Sequence, residues 1–205
     1  MNKLVKDALV LTCITVIAGF ALGLVYEITK APIAKAEEAA LQNAYQTVFA
    51  NADSFKDLDG FNSEAATDLV VKAGYSDDTI DNCVQALDAS GNLLGYVITV
   101  TSKAGYGGNI TFSVGITNEG VINGYSITNI SETAGLGMKA RDTGKGTFSE
   151  QFVNRQAETF TVTKTGASNS SEIDAISAAT ITSKAMTNGV NAGVTYFNSL
   201  VGGAQ

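Results

Sequence analysis

Three features of the chain predict an α+β fold: an uncharged apolar run near the N-terminus, a central block with apolar residues at period two, and a closing helical stripe. The apolar run is Ala8 to Tyr26, ALVLTCITVIAGFALGLVY, preceded by Lys3, Lys6 and Asp7. Its length suits one helix across the hydrocarbon core of a bilayer, with Tyr26 at the interface. A cleavable signal peptide is the competing reading, with Ala34-Lys35-Ala36 as its small-x-small site. The run exceeds a typical signal h-region, and Glu27, Lys30 and Lys35 separate it from that site, which favours a retained anchor. The flanking lysines nearly balance, and the α-amino group tips the orientation toward N-terminus inside, bulk of the chain outside. Residues 1–30 are therefore expected to be a cytoplasmic N-terminus and anchor.

Residues 31–92 read as a membrane-proximal helix and a polar lobe. Ala34 to Ala50 is rich in helix formers and places Ala40, Leu41, Ala44, Tyr45 and Val48 on one stripe, so an amphipathic helix is expected after Pro32, the sole proline. Asn51 to Asn92 is weakly patterned, with Asp53, Asp57, Asp59, Asp77, Asp78 and Asp81 spread along it. The twelve-residue loop of an EF-hand is absent, and a solvated surface is the expected role of these carboxylates.

From residue 93 to 205 the pattern is that of a single folded unit. Leu94, Tyr96, Ile98 and Val100 alternate with smaller or polar residues, as do Ile110, Phe112, Val114 and Ile116. Asn118-Glu119-Gly120 connects to a third run, Val121–Asn129, and neighbouring antiparallel strands are predicted. Thr159–Thr165 reads as a further strand. A helix over about Thr182–Val201 follows, with Met186, Val190, Val194, Phe197 and Val201 facing the core.

Composition removes several kinds of chemistry. A formal charge of −7 disfavours nucleic acid or anionic lipid as a partner of the soluble part. The chain has no His, which excludes His-dependent triads, most zinc sites and imidazole acid–base catalysis. Its two cysteines, Cys13 in the apolar run and Cys83 in the polar stretch, neither pair nor supply an iron–sulfur cluster. Electron transfer by this chain requires an organic cofactor.

The most informative stretch is Asp174 to Ser183, DAISAATITS. Ala178 and Ala179 leave the backbone approachable, while Ser177, Thr180, Thr182 and Ser183 offer hydroxyls at a helix start, where free amides attract an anion. On physics alone, an ordinary Ser N-cap remains the simpler reading. Two Gly-rich segments add to it: Gly105-Tyr106-Gly107-Gly108, and Glu132-Thr133-Ala134-Gly135-Leu136-Gly137 after the third strand. Glycine there permits close approach to a flat ring, and each segment by itself is also an ordinary turn.

The pattern Asp174-x-x-Ser177-Ala178-Ala179-Thr180 resembles the signature of domains that carry FMN covalently, the phosphate being esterified to the final Thr by a dedicated flavin transferase. Ala178 stands where Gly is usual, which calls for an unstrained turn at that position. The resemblance makes Thr180 the attachment residue, with Asp174 and Ser177 among the features the transferase reads. GYGG, ETAGLG and SAAT occur in the order seen in the RnfG family, the G component of the Rnf complex, and in the C component of the sodium-translocating NADH:quinone reductase. Ala134 replaces the commoner Pro, and the short chain favours the former family. The resemblance implies a membrane-anchored flavoprotein whose FMN lies on the outer face of a bacterial cytoplasmic membrane. It would relay electrons in an ion-translocating ferredoxin:NAD⁺ oxidoreductase, beside the A, B, C, D and E components of the Rnf complex. A membrane-anchored structural protein or a non-covalent binding module are the alternatives, and the wholly uncharged Ala8–Tyr26 run argues against a pilin-type segment.

Overall fold

The computed structural model describes residues 3–202. Its first element is one helix, α1 (Lys3–Val48), with Pro32 inside it. The sequence pattern predicts a break there, because an internal proline removes one backbone hydrogen bond and costs about 3 kcal/mol. Good helix formers on both sides (Lys30, Ala31, Ala34, Lys35, Ala36, Glu37) offset that cost. Within residues 3–40 the apolar side chains lie exposed, among them Leu11, Val16, Ile17, Phe20 and Leu22. This helix is long and apolar enough to cross a membrane.

From Leu41 onward the chain forms a compact unit. Its centre is a six-stranded antiparallel sheet in sequential order: β1 (Ser54–Asp57), β2 (Asp78–Leu87), β3 (Leu93–Ser102), β4 (Ile110–Thr117), β5 (Val121–Asn129) and β6 (Arg155–Gln156). Helix α2 (Ser63–Lys72) lies between β1 and β2 and starts at Asn62, whose side chain accepts from the Ala65 N–H at 2.8 Å. Two short strands, β7 (Thr161–Thr163) and β8 (Glu172–Asp174), pair in parallel as a separate sheet. Helix α3 (Thr180–Gly202) closes the fold.

Residues 51–92 thus supply two strands of the main sheet and a helix, where the sequence shows only a polar stretch. The reason is local. Strand β1 is a four-residue edge, and β2 changes register between Ile80 and Asn82, so its apolar residues do not alternate cleanly. Of the acidic residues in this stretch, Asp78 departs from the solvated role, being only 2% exposed. Cys83 is also a core residue, and burial pushes its thiol up to about 12, which makes it unreactive.

Both faces of the sheet are covered, although the period-two pattern reveals only one. Ile98, Val100, Phe112, Val114 and Ile116 meet Met186, Val190 and Phe197 of α3 in the larger core. On the other face, Tyr45, Val48 and Phe49 pack with Val84, Ala86 and Val97. That approach needs Gly115, because a Cβ there would lie 2.8 Å from the Val48 Cβ. Thr99 and Ser113, polar on this buried face, satisfy each other at 3.0 Å. Burying each such large apolar side chain stabilises by roughly 1.5–3 kcal/mol, so α1's last turns hold the second face of the sheet with a smaller core than α3 gives the first. Val201, expected in the core stripe, is exposed at the end of α3.

Candidate functional site

The loop between β3 and β4, the loop after β5 and the first turn of α3 meet at one end of the sheet. They line a cleft of about 550 Å³ formed by Tyr106, Glu132, Thr133, Leu136, Gly137, Ala178, Ala179, Thr180, Ile181 and Thr182. The hub is Glu132, only 8% exposed. Its Oε1 accepts from the Gly107 N–H at 3.1 Å, and its Oε2 accepts from the Thr182 hydroxyl at 2.8 Å. One carboxylate therefore joins all three segments across separations of 25 and 50 residues. Gly137 is buried against this hub: a Cβ there would lie 2.6 Å from both Glu132 Oε2 and Thr182 Oγ1.

The hydroxyls singled out in the sequence have different fates. Ser183 is fully buried and turned inward, its Oγ accepting from the Ile176 N–H and donating to the Ala179 carbonyl, each at 2.9 Å. It shapes the turn and offers nothing to the cleft, contrary to the expectation that it faces an anion. Thr182 lines the cleft with its hydroxyl committed to Glu132. Ser177 faces a neighbouring groove of about 540 Å³, with Asp174, Lys139, Asp142, Glu150 and Gln151. Thr180, the first residue of α3, lines the cleft, and its hydroxyl has no hydrogen-bond partner among the described residues.

Ala178 adopts φ +61, the left-handed region, so the turn is strained and not the relaxed one expected of an alanine there. An L-residue with a Cβ costs about 1–2 kcal/mol in that conformation, and glycine does not. Gly107 and Gly135 bound the site without lining it. Gly135 has φ +75 with open space around its Cβ position, so the chain needs glycine there for backbone conformation and not for close contact. Ile181 lines the cleft as well, although in the sequence it reads as one more apolar residue of a helix.

The cleft combines apolar walls with the open start of a helix. Tyr106, Leu136 and Ile181 are 69%, 39% and 54% exposed and give it apolar walls. The first turn of α3 supplies N–H groups that no carbonyl of the helix satisfies, beside the free Thr180 hydroxyl. Its volume lies in the range of cofactor sites.

Comparison with known proteins agrees with this geometry. Residues 105–195 match the FMN-binding domain family. Over 196 residues, covering 95% of this chain and 91% of the relative, the sequence is 34% identical to the G component of the proton-translocating ferredoxin:NAD(+) oxidoreductase complex of Clostridium ljungdahlii. The chain belongs to the RnfG family. A second member, the G component of the Na(+)-translocating ferredoxin:NAD(+) oxidoreductase complex of Acetobacterium woodii, is 32% identical over 95% of this chain and 92% of its own length. The corresponding component of the ion-translocating oxidoreductase complex of Methanosarcina acetivorans is 27% identical, with 98% of each chain covered. The fold is shared with NqrC of Shewanella oneidensis, at a TM-score of 0.51 and 20% identity over 77% of this chain and 88% of that one. In this RnfG-family chain, the domain match spans all three segments that meet at the cleft.

Proposed function

We propose that this chain carries one FMN as a phosphoester on Thr180 and relays electrons within a membrane-bound ferredoxin:NAD⁺ oxidoreductase complex, beside that complex's A, B, C, D and E components. The observation that carries the attachment is the state of the four hydroxyls. Of Ser177, Thr180, Thr182 and Ser183, Thr180 alone both lines the cleft and keeps its hydroxyl uncommitted. When bound, FMN supplies the redox chemistry, and the chain supplies position and environment. The α3 N-terminus would hold the phosphate, with Thr133, Ala178 and Ala179 leaving room at its base. Tyr106, Leu136 and Ile181 would contact the ring system.

Attachment by a flavin transferase has a simple balance. The Thr180 Oγ–P bond forms to the flavin-bearing phosphorus of a flavin pyrophosphate donor. The P–O bond of the anhydride breaks, a nucleoside monophosphate leaves with the bridging oxygen, and the hydroxyl proton passes to base. Peptide mass mapping is expected to place one FMN-derived increment on the peptide containing Thr180, Thr180→Ala to lose it, and Thr180→Ser to keep it. An undiminished increment in Thr180→Ala refutes the assignment.

The FMN unit is assigned to the outer face of the cytoplasmic membrane, with α1 as anchor and its N-terminus inside. Buried Cys83 is a poor reporter, and exposed Ser76 is a better one. In a Cys13→Ser background, Ser76→Cys should react with a membrane-impermeant maleimide in intact cells. Reaction only after the membrane is broken would reverse the orientation.

A further inference from the structure

Resting on the attachment reading above, we infer that Gln151, outside the Asp174–Thr180 motif, is a positioning residue that preforms the turn presenting Thr180 for modification. The geometry is a two-ended clamp. At the first end the Gln151 side chain brackets one residue of β8: its Oε1 accepts from the Asp174 N–H at 2.7 Å, and its Nε2 donates to the Asp174 carbonyl at 3.1 Å. An amide side chain thus acts as a missing neighbouring strand. The Ala175 N–H continues the pattern by donating to the Thr163 carbonyl at 2.8 Å. At the second end Ser183 ties the Ile176 N–H to the Ala179 carbonyl, and the Ala179 N–H donates to the Ile176 carbonyl at 2.9 Å.

Between these ends lie Ser177 and Ala178, both exposed, with Ala178 held at φ +61. A strained residue persists only where its surroundings over-determine it, and the clamp provides that determination. Without Gln151 the backbone of Asp174 loses both of its side-chain partners, and the end of β8 that feeds the Ile176–Ala179 turn is no longer fixed. The turn, still closed by Ser183 and its own hydrogen bond, would then shift as a unit and carry Thr180 away from its position at the cleft. Gln151 itself contributes nothing to the cleft, since it lies along the groove on the other side of the turn. The same device recurs at Asn191, which brackets Phe160 through its N–H and carbonyl, each at 2.9 Å, and so fixes the chain entering β7. The partner strand β8 is fixed by Gln151 where it leaves.

A positioning role has a kinetic signature. If the turn must be formed before the transferase can use it, losing the clamp lowers the competent fraction. That raises the KM for this chain and leaves kcat nearly unchanged. The experiment uses the full-length chain in detergent with purified flavin transferase and a flavin dinucleotide donor, comparing wild type, Gln151→Ala, Gln151→Glu and Thr180→Ala. Gln151→Ala is expected to raise KM about tenfold, to leave the increment on Thr180, and to speed amide exchange at Asp174 and Ile176. Gln151→Glu keeps the acceptor for the Asp174 N–H and loses the donor, and should fall between the two, which covers the case of an unfolded alanine variant. Unchanged KM and exchange in both variants, beside a modified wild type, overturn the positioning role alone. A loss confined to kcat overturns it as well. A wild-type chain that takes no flavin, or a Thr180→Ala chain that does, overturns the attachment reading from which it follows.

Discussion

Removing the Glu132 carboxylate should uncouple the three segments that build the cleft, and the energy of that uncoupling can be worked from two bonds. Glu132 accepts from Thr182 Oγ1 at 2.8 Å and from the Gly107 N–H at 3.1 Å while almost fully buried. A hydrogen bond to a charged group contributes about 1.5–3 kcal/mol net, and a buried hydroxyl left without a partner costs about 1–3 kcal/mol. Thr182 is 1% exposed, so its orphaned hydroxyl bears that cost in full. Recovering the desolvation of the carboxylate offsets part of the loss. Glu132→Ala is therefore expected to destabilise by about 2–4 kcal/mol, and Thr182→Val, which keeps the shape, by about 1.5–3 kcal/mol. The double variant should cost less than the sum, with a coupling near 2 kcal/mol. Chemical denaturation of the chain in detergent, followed by far-UV circular dichroism, measures all four corners of the cycle. Additive losses, with coupling under about 0.5 kcal/mol, would show that the carboxylate does not tie the loops to α3. In flavinylated protein the same variants should shift the flavin spectrum while the increment stays on Thr180.

Two further outcomes follow from backbone strain and burial. Ala178→Gly relieves about 1–2 kcal/mol of left-handed strain and gives back roughly half to unfolded-chain entropy, so a stabilisation of about 0.5–1 kcal/mol is expected by denaturant titration; a loss of stability would mean that the φ of +61 is not the native conformation. Asp78 faces Ser102 across the β2–β3 ladder and has Asp77 beside it, and burial first, then the Asp77 charge, push its carboxyl from 3.8 up to about 6, against the lowering effect of Ser102. The folded state then holds that proton more tightly than the unfolded chain, so this contribution is lost as pH rises from about 4 to 6 and stays lost above. Asp78→Asn should exceed wild type by about 3 kcal/mol at pH 7.5 and nearly match it near pH 4. An equal gap at both pH values would remove the carboxyl from the explanation.

The sequence by itself determined whatever is written in local order. The uncharged Ala8–Tyr26 run marked the apolar helix, the alternation from Leu94 to Ile127 marked β3 to β5, and the stripe from Met186 to Phe197 marked α3. The order of GYGG, ETAGLG and SAAT along the chain was enough to mark the family. The tertiary structure decided what depends on partners far along the chain. That Ser183 turns inward, Thr182 is committed and Thr180 stays free follows from Ile176, Glu132 and the cleft, none of which a run of hydroxyls encodes. The second covered face of the sheet, and the clamp of Gln151 on Asp174, are equally invisible to periodicity. Strand β2 escaped because a register shift breaks the alternation that a half-buried strand would show. Periodicity reports which way a side chain points from its own element, and only packing reports what it meets there.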